Sequence, residues 1–215
     1  MGEPNPKVKP ENQAVDGTLS PEEVAERFLP PMPTDVYDAA KNVKGRWRDI
    51  VTRKRPDGTE EVVEDTGWKK NTIVQGMPKV LAGLMRNEPT YNGGILYHAM
   101  GRGNAAWDPL PIPPTPVYST VQLVDEYFRK APTSISYLDP LGNPSPVITG
   151  SILVQTVLDY TEANGMAGEY IREQGLFCAT ATGVLNSGIL ASVIFHVAKW
   201  KDSNVKITRY WNIIF

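Results

Sequence analysis

Apolar and polar residues alternate most regularly over Ser187–Phe215, which reads SGILASVIFHVAKWKDSNVKITRYWNIIF. In its first half Ile189, Ala191, Val193, Phe195 and Val197 share one face. In its second half Ile207, Trp211, Ile213 and Phe215 do, with Arg209 interrupting. A period of two in β-branched and aromatic residues marks a strand with one face in a core. Lys201–Asp202–Ser203–Asn204 carries turn chemistry between the two runs, so they are predicted to form a closing β-hairpin. An apolar strand with an open edge is prone to aggregate, which places the second run inside a sheet.

The same alternation, weaker, predicts strands at Ile95–Met100, 133–138, 147–160 and Tyr170–Phe177. Residues 43–65 read as a charged β-hairpin turning at Pro56–Asp57–Gly58. Its basic cluster (Lys41, Lys44, Arg46, Arg48, Arg53, Lys54, Arg55) is met by Glu60, Glu61, Glu64 and Asp65 on the returning strand. Cross-strand charge pairing therefore competes with a nucleic-acid face and is the simpler reading. A period nearer 3.6 predicts two helices. One spans Gly76–Asn87, started by Pro78 with Val80, Leu81, Leu84 and Met85 as its stripe. The other spans Val121–Lys130, with Leu123, Val124, Tyr127 and Phe128. The resulting fold class is mainly β: an antiparallel β-sandwich with two or three short helices and an extended N-terminal arm.

That arm covers residues 1–42, ahead of a domain at 43–215. Its first 18 residues are rich in Pro, Asn, Glu and Lys and offer little to bury. Ser20 as N-cap, Pro21 and Glu23 then mark a short helix at about 20–28, ended by Leu29–Pro30–Pro31–Met32–Pro33. A helix that short is marginal in water unless it docks. Val24, Phe28, Leu29, Pro30, Pro31 and Met32 are therefore candidate assembly contacts, against either their own domain or a neighbouring subunit.

Composition narrows the function. A net charge of −2 over 215 residues argues against a dedicated nucleic-acid binder. No apolar run reaches the roughly 20 residues of a membrane helix, and the N-terminus lacks the apolar core of a signal peptide. Met1–Gly2 does not complete a myristoylation signal, because Pro6 stands where Ser or Thr is required. Cys178 is the single cysteine, which excludes an internal disulfide and suits a small core filler. The two histidines, His98 and His196, each fall within a candidate strand, on the face opposite its most apolar neighbours. Neither has Cys or carboxylate at ligand spacing. No nucleophile elbow or metalloprotease motif is present. The glycine-rich Gly101–Asn104 lacks the residues that make a phosphate loop. No catalytic, cofactor-binding or metal-ligating residue is expected, and no cofactor.

Certain motifs recur in a familiar order over residues 66–215. They are Trp68, Asn71, Ile73 and Val74; a helix at Val80–Met85; I-L-Y-H-A-M-G-x-G at Ile95–Gly103; and Leu123, Glu126 and Arg129. I-R-E-x-G-L-F at Ile171–Phe177, S-G-x-L at Ser187–Leu190 and I-T-x-x-W-x-I-x-F at Ile207–Phe215 complete the set. The set resembles tailed-bacteriophage virion structural proteins of the neck, tail-fibre and baseplate type. By residue type Ile171, Leu176 and Phe177 are expected to pack, and Gly175 permits a bulge or close approach. Arg172 and Glu173 are expected to join Glu126 and Arg129 in an ion-pair network that pins 121–130 to the sheet.

The resemblance implies a non-enzymatic structural component of a virion, assembled in the host cytoplasm. It would be a symmetric homo-oligomer whose arm contacts neighbouring virion proteins, with no nucleic acid or membrane as partner. The alternatives are a capsid decoration protein, or a tail-fibre module that binds a receptor or host-surface glycan through Trp107 and Tyr91.

Overall fold

A computed structural model describes residues 43–91, 93–108, 113–164 and 170–215. The expected arm, its helix at 20–28 and the contacts Val24, Phe28, Leu29, Pro30, Pro31 and Met32 lie outside the described residues. In chain order the strands begin β1 (Lys44–Lys54), β2 (Glu60–Asp65), β3 (Lys69–Lys70), β4 (Thr72–Ile73), β5 (Ile95–Gly101) and β6 (Glu126–Lys130). They continue β7 (Ser134–Leu138), β8 (Pro144–Ser145), β9 (Ser151–Leu158), β10 (Ile171–Cys178), β11 (Ile189–Lys199) and β12 (Val205–Ile214). Helix α1 (Gly76–Arg86) lies between β4 and β5. The fold is mainly β, in two sheets, and the strand pairings are antiparallel.

The seven-stranded sheet runs β2-β1-β12-β9-β7-β8 with β3 on β1; the five-stranded sheet runs β4-β11-β10-β5-β6. One core cluster draws Trp47, Val154, Trp211 and Ile213 from the first sheet and Leu176, Cys178, Ala191 and Ile194 from the second. It takes Met77 and Val80 from α1. Trp47 and Trp211 are direct partners in the β1–β12 register, so two indoles stand side by side on one face. Cys178 is buried among these residues, and burial pushes its thiol up to about 12.

The charged hairpin forms between β1 and β2, with Arg53 opposite Glu61 and Lys54 opposite Glu60. β2 is exposed throughout, whereas β1 turns Trp47, Asp49 and Val51 to the interior, and Thr52 is buried as well. Helix α1 forms where the apolar spacing placed it and ends at Asn87, whose N–H reaches Gly83 and Leu84 carbonyls and whose left-handed conformation turns the Glu88 N–H back onto the Gly83 carbonyl (2.9 Å). Its buried side is Met77 and Val80, while Leu84 and Met85 face solvent. Gly76 is required there: a Cβ would stand 2.0 Å from the Leu190 carbonyl oxygen.

Three expectations are corrected. The helix predicted over Val121–Lys130 is absent; Glu126–Lys130 is strand β6, paired to β5. Its helical spacing is a weak local preference, and pairing to the open edge of β5 outweighs it. The predicted closing hairpin is not one either, because β11 and β12 lie in different sheets. The polar turn reverses the chain but also carries it across the core. Lys201 anchors that turn, its buried ammonium donating to Asp159 O (2.7 Å), Asn164 Oδ1 (2.8 Å) and Asp202 O (3.1 Å). β11 is consequently covered on both sides from Leu190 to Ile194. Thirdly, Phe215 lies beyond β12 and is exposed rather than sharing the buried face.

Candidate functional site: a buried ion pair beneath an open cleft

Arg209, the residue that interrupts the apolar alternation of β12, is fully buried. It faces the interior with Ile207 and Trp211 because strand geometry gives alternate residues one face. Directly across the ladder, Asp49 of β1 is its register partner, and the two form a bidentate pair through Arg209 Nε and Nη2. The guanidinium also lies over the Trp47 ring, 4.3 Å from its centroid. Burial alone would raise the Asp49 carboxyl. The Arg209 charge and hydrogen bonds, helped by Lys199, more than offset this and hold it at about 2. Lys199 of β11 then links the pair outward, at 3.1 Å from Asp49 and 2.7 Å from Glu64 of β2.

Both histidines join this interior, contrary to the expectation that they face away from their apolar neighbours. His98 meets Trp211 edge-on at 5.6 Å, and His196 lies 6.0 Å from Trp47. Burial, reinforced by the Arg209 charge, lowers each to about 3, so both rings are neutral near pH 7. The His196 Nδ1 lies 2.8 Å from the Val197 carbonyl and its Nε2 lies 2.9 Å from Gln174 Nε2. One tautomer satisfies both contacts: Nδ1–H donates and Nε2 accepts from the amide. Asp49 and His196 thus have their hydrogen-bonding capacity directed at protein groups. The arrangement is a neutralised polar core.

The four residues expected to form one ion-pair network separate into three arrangements. Glu126 and Arg129 form a buried bidentate pair, with Arg129 Nε 2.5 Å and Nη2 2.8 Å from the Glu126 carboxylate. Arg129 Nη1 continues to Thr182 O and Ser187 O, and Glu126 accepts from Asn186 N–H, so the pair also holds the 182–187 loop. Arg172 pairs instead with Asp108. Glu173 accepts from the backbone N–H groups of Gly103 (3.1 Å), Val124 (2.8 Å) and Asp125 (2.7 Å). It holds the 121–130 segment by its backbone and not through Arg129. Burial raises its carboxyl even against those three donors. Gly175 is a close approach, where a Cβ would come within 2.6 Å of Leu190 Cδ1.

Above the buried pair lies an open cleft of about 730 Å³, lined by residues of both sheets. Trp47 and His196 contribute to its lining, with Glu64, Lys69, Lys70 and Asn71 from the β2–β3 stretch and Thr72 paired beside Val193 of the Val193–Val197 run. Pro113–Pro116 also borders it. The cleft is not legible in the sequence, since residues 47 and 64–72 meet 193–199 across more than a hundred positions. The aromatic residues considered for glycan stacking are engaged within the protein. Trp107 packs on Phe195 at 4.5 Å, and Tyr91 packs tightly over Gly83. Among the described residues no group of three or more His, Cys, Asp or Glu is placed to hold a metal ion.

No known protein-family model matches the chain, and neither does any curated protein. Function therefore has to be argued from this interior and from the surfaces around it. Among the described residues no helix is long and apolar enough to cross a membrane.

Proposed function

We propose that the chain is a non-enzymatic structural component of a tailed-bacteriophage virion, from the neck, tail or baseplate region. Its domain is a β-sandwich, the two sheets closing over the shared core. It assembles as a symmetric oligomer, with residues 1–42 contacting neighbouring virion proteins. The observation that carries this reading is how the ionisable residues of the interior are used. Asp49 is committed to Arg209, Glu126 to Arg129, and Glu173 to three backbone amides. Each fixes one strand or loop to another. The ordered motifs at 66–215 point the same way, since Ile171, Leu176 and Phe177 are all core residues.

Imaging of intact particles tests the reading. The expected result is several copies of the chain arranged about the tail axis. A molecule found only as a lone soluble monomer would overturn it. Removal of residues 1–35 supplies a second test: the shortened chain is expected to keep its circular-dichroism spectrum and melting transition yet fail to join the particle.

A further inference from the structure

The cleft has one wall that a sheet interior does not leave open. β11 is paired to β10 along one side from Ile189 to Phe195 and again at Lys199, with an irregularity across 196–198. On its other side β4 pairs only with Ser192 and Val193. From Ile194 to Lys199, therefore, no described strand pairs with the outer edge of β11, and this edge runs along the cleft. In an antiparallel strand alternate residues turn their N–H and C=O groups toward such an edge. Six residues present about 20 Å of it. The His196 ring already caps the Val197 carbonyl, while the neighbouring groups have no backbone partner among the described residues.

The facing wall is basic. β3 pairs Lys70 with Arg46 and Lys69 with Trp47, which sets Lys69 and Lys70 in the cleft lining just past the end of β2, with Arg46 outside the lining beside Lys70. The acidic residues of β2 are occupied elsewhere: Glu60 by Lys206, Glu61 by Arg55, Asp65 by Arg48 and Glu64 by Lys199. Among the described residues no carboxylate forms an ion pair with Lys69, Lys70 or Arg46. Lys69 and Arg46 rest instead on the rings of Trp47 and Trp68. The buried Oδ1 of Asn71, also in the cleft lining, has no hydrogen-bond partner.

We infer that this cleft is a docking site for an extended, acidic peptide segment of a partner protein, which adds as a strand to the Ile194–Lys199 edge of β11 and sets its carboxylates against Lys69 and Lys70. An exposed edge supplies affinity through main-chain hydrogen bonds, and side-chain charge supplies selection. The cleft volume is within the roughly 300–1,000 Å³ of ordinary binding pockets. A strand edge favours a peptide over a nucleic acid, and the Glu64 carboxylate in the lining disfavours a continuous polyanion. The inference rests on reading the chain as an assembly protein only in taking the partner to be a protein. Failure at the cleft would leave the particle imaging and the arm truncation unaffected.

The test is fluorescence anisotropy of the full chain with a labelled hexapeptide of three Glu-Val repeats. A Lys-Val hexapeptide and a single-stranded oligothymidylate serve as comparators. The Glu-Val peptide is expected to bind at least about tenfold more tightly than the Lys-Val peptide. The K69E/K70E double variant is expected to lose at least about tenfold of that affinity with its melting transition unmoved, since both side chains are exposed. Bound peptide should slow amide hydrogen exchange within Ile194–Lys199. The inference is overturned by equal binding of the two peptides, by an unaffected K69E/K70E variant, or by protection elsewhere but not on β11. It is equally overturned by tighter binding of the oligothymidylate at Lys69 and Lys70, or by no peptide binding at millimolar concentration.

Discussion

Asp49 and Arg209 meet inside the core although 160 positions separate them, and no local pattern could have joined them. The sequence shows only an arginine breaking an apolar run and an aspartate in a charged hairpin. Once β1 and β12 are neighbours, the β1–β12 register makes the pair inevitable. Removing one partner leaves a buried charge uncompensated, so Asp49→Asn is expected to cost about 3–5 kcal/mol of unfolding free energy in urea. Replacing Asp49 and Arg209 together by Leu and Met should cost less than the sum of the single changes. Acid sensitivity follows from the same cluster. Asp49 is held at about 2, below its unfolded value, so its stabilisation is present above about pH 4 and is lost as pH falls toward 2. His98 and His196, lowered to about 3, bind protons more readily in the unfolded chain, so stability also declines from about pH 6.5 downward. A urea titration from pH 7 to pH 4 should show this loss, and the H98Q/H196Q double variant should flatten it. Glu126 and Arg129 were expected in one network and do pair, but across a register shift in strand β6 and not on the predicted helix, where a three-residue spacing would have joined them. The partner of Arg172 was not legible, since Asp108 is supplied by the proline-dense loop. Glu173→Ala orphans three backbone amides and is expected to cost about 1–3 kcal/mol; an unchanged urea midpoint would contradict that role.

At the level of elements, alternation marked the longer strands β1, β5, β7 and β9 to β12, but the short β3, β4 and β8 carried no such signal, and alternation does not determine which sheet a strand joins. β11 and β12 show the limit most clearly. Both have strand periodicity, and the polar turn between them suits a hairpin and a crossing between sheets equally. The deciding information is in β11, where Leu190 to Ile194 are buried without a break. Lys201 fixes the crossing, and burial lowers its ammonium to about 8. Lys201→Met should therefore loosen the 159–164 and 200–204 turns, costing about 1–3 kcal/mol. Faster amide exchange in those turns than in the adjoining strands would show it. The segment at 121–130 fails for the complementary reason. Its apolar residues fit a helix, but the open edge of β5 has hydrogen bonds to satisfy, and β6 satisfies them.

For the molecule as a whole, the mainly-β class and the antiparallel pairing follow from many short alternating segments among abundant turn residues. The two-sheet division, the polar interior and the cleft do not, because each depends on contacts across long sequence separations. Stability should be distributed accordingly. β10 is buried along its full length and central in its sheet, while β2 is an exposed edge. Native-state hydrogen exchange is expected to be slowest in β10 and its partners β5 and β11, and fastest in β2. Slow exchange in β2 would show that its edge is covered.

Cys178 gives the protein a built-in gauge of its own integrity. The thiol sits in the core cluster shared by the two sheets and α1, and it stays protonated at any physiological pH. Alkylating or disulfide reagents can therefore reach it only in molecules whose layers have parted. The labelling rate of the wild-type chain reports how often that happens, with no probe introduced. Any condition that tightens the seal between the layers should be read directly as slower modification of this one sulfur.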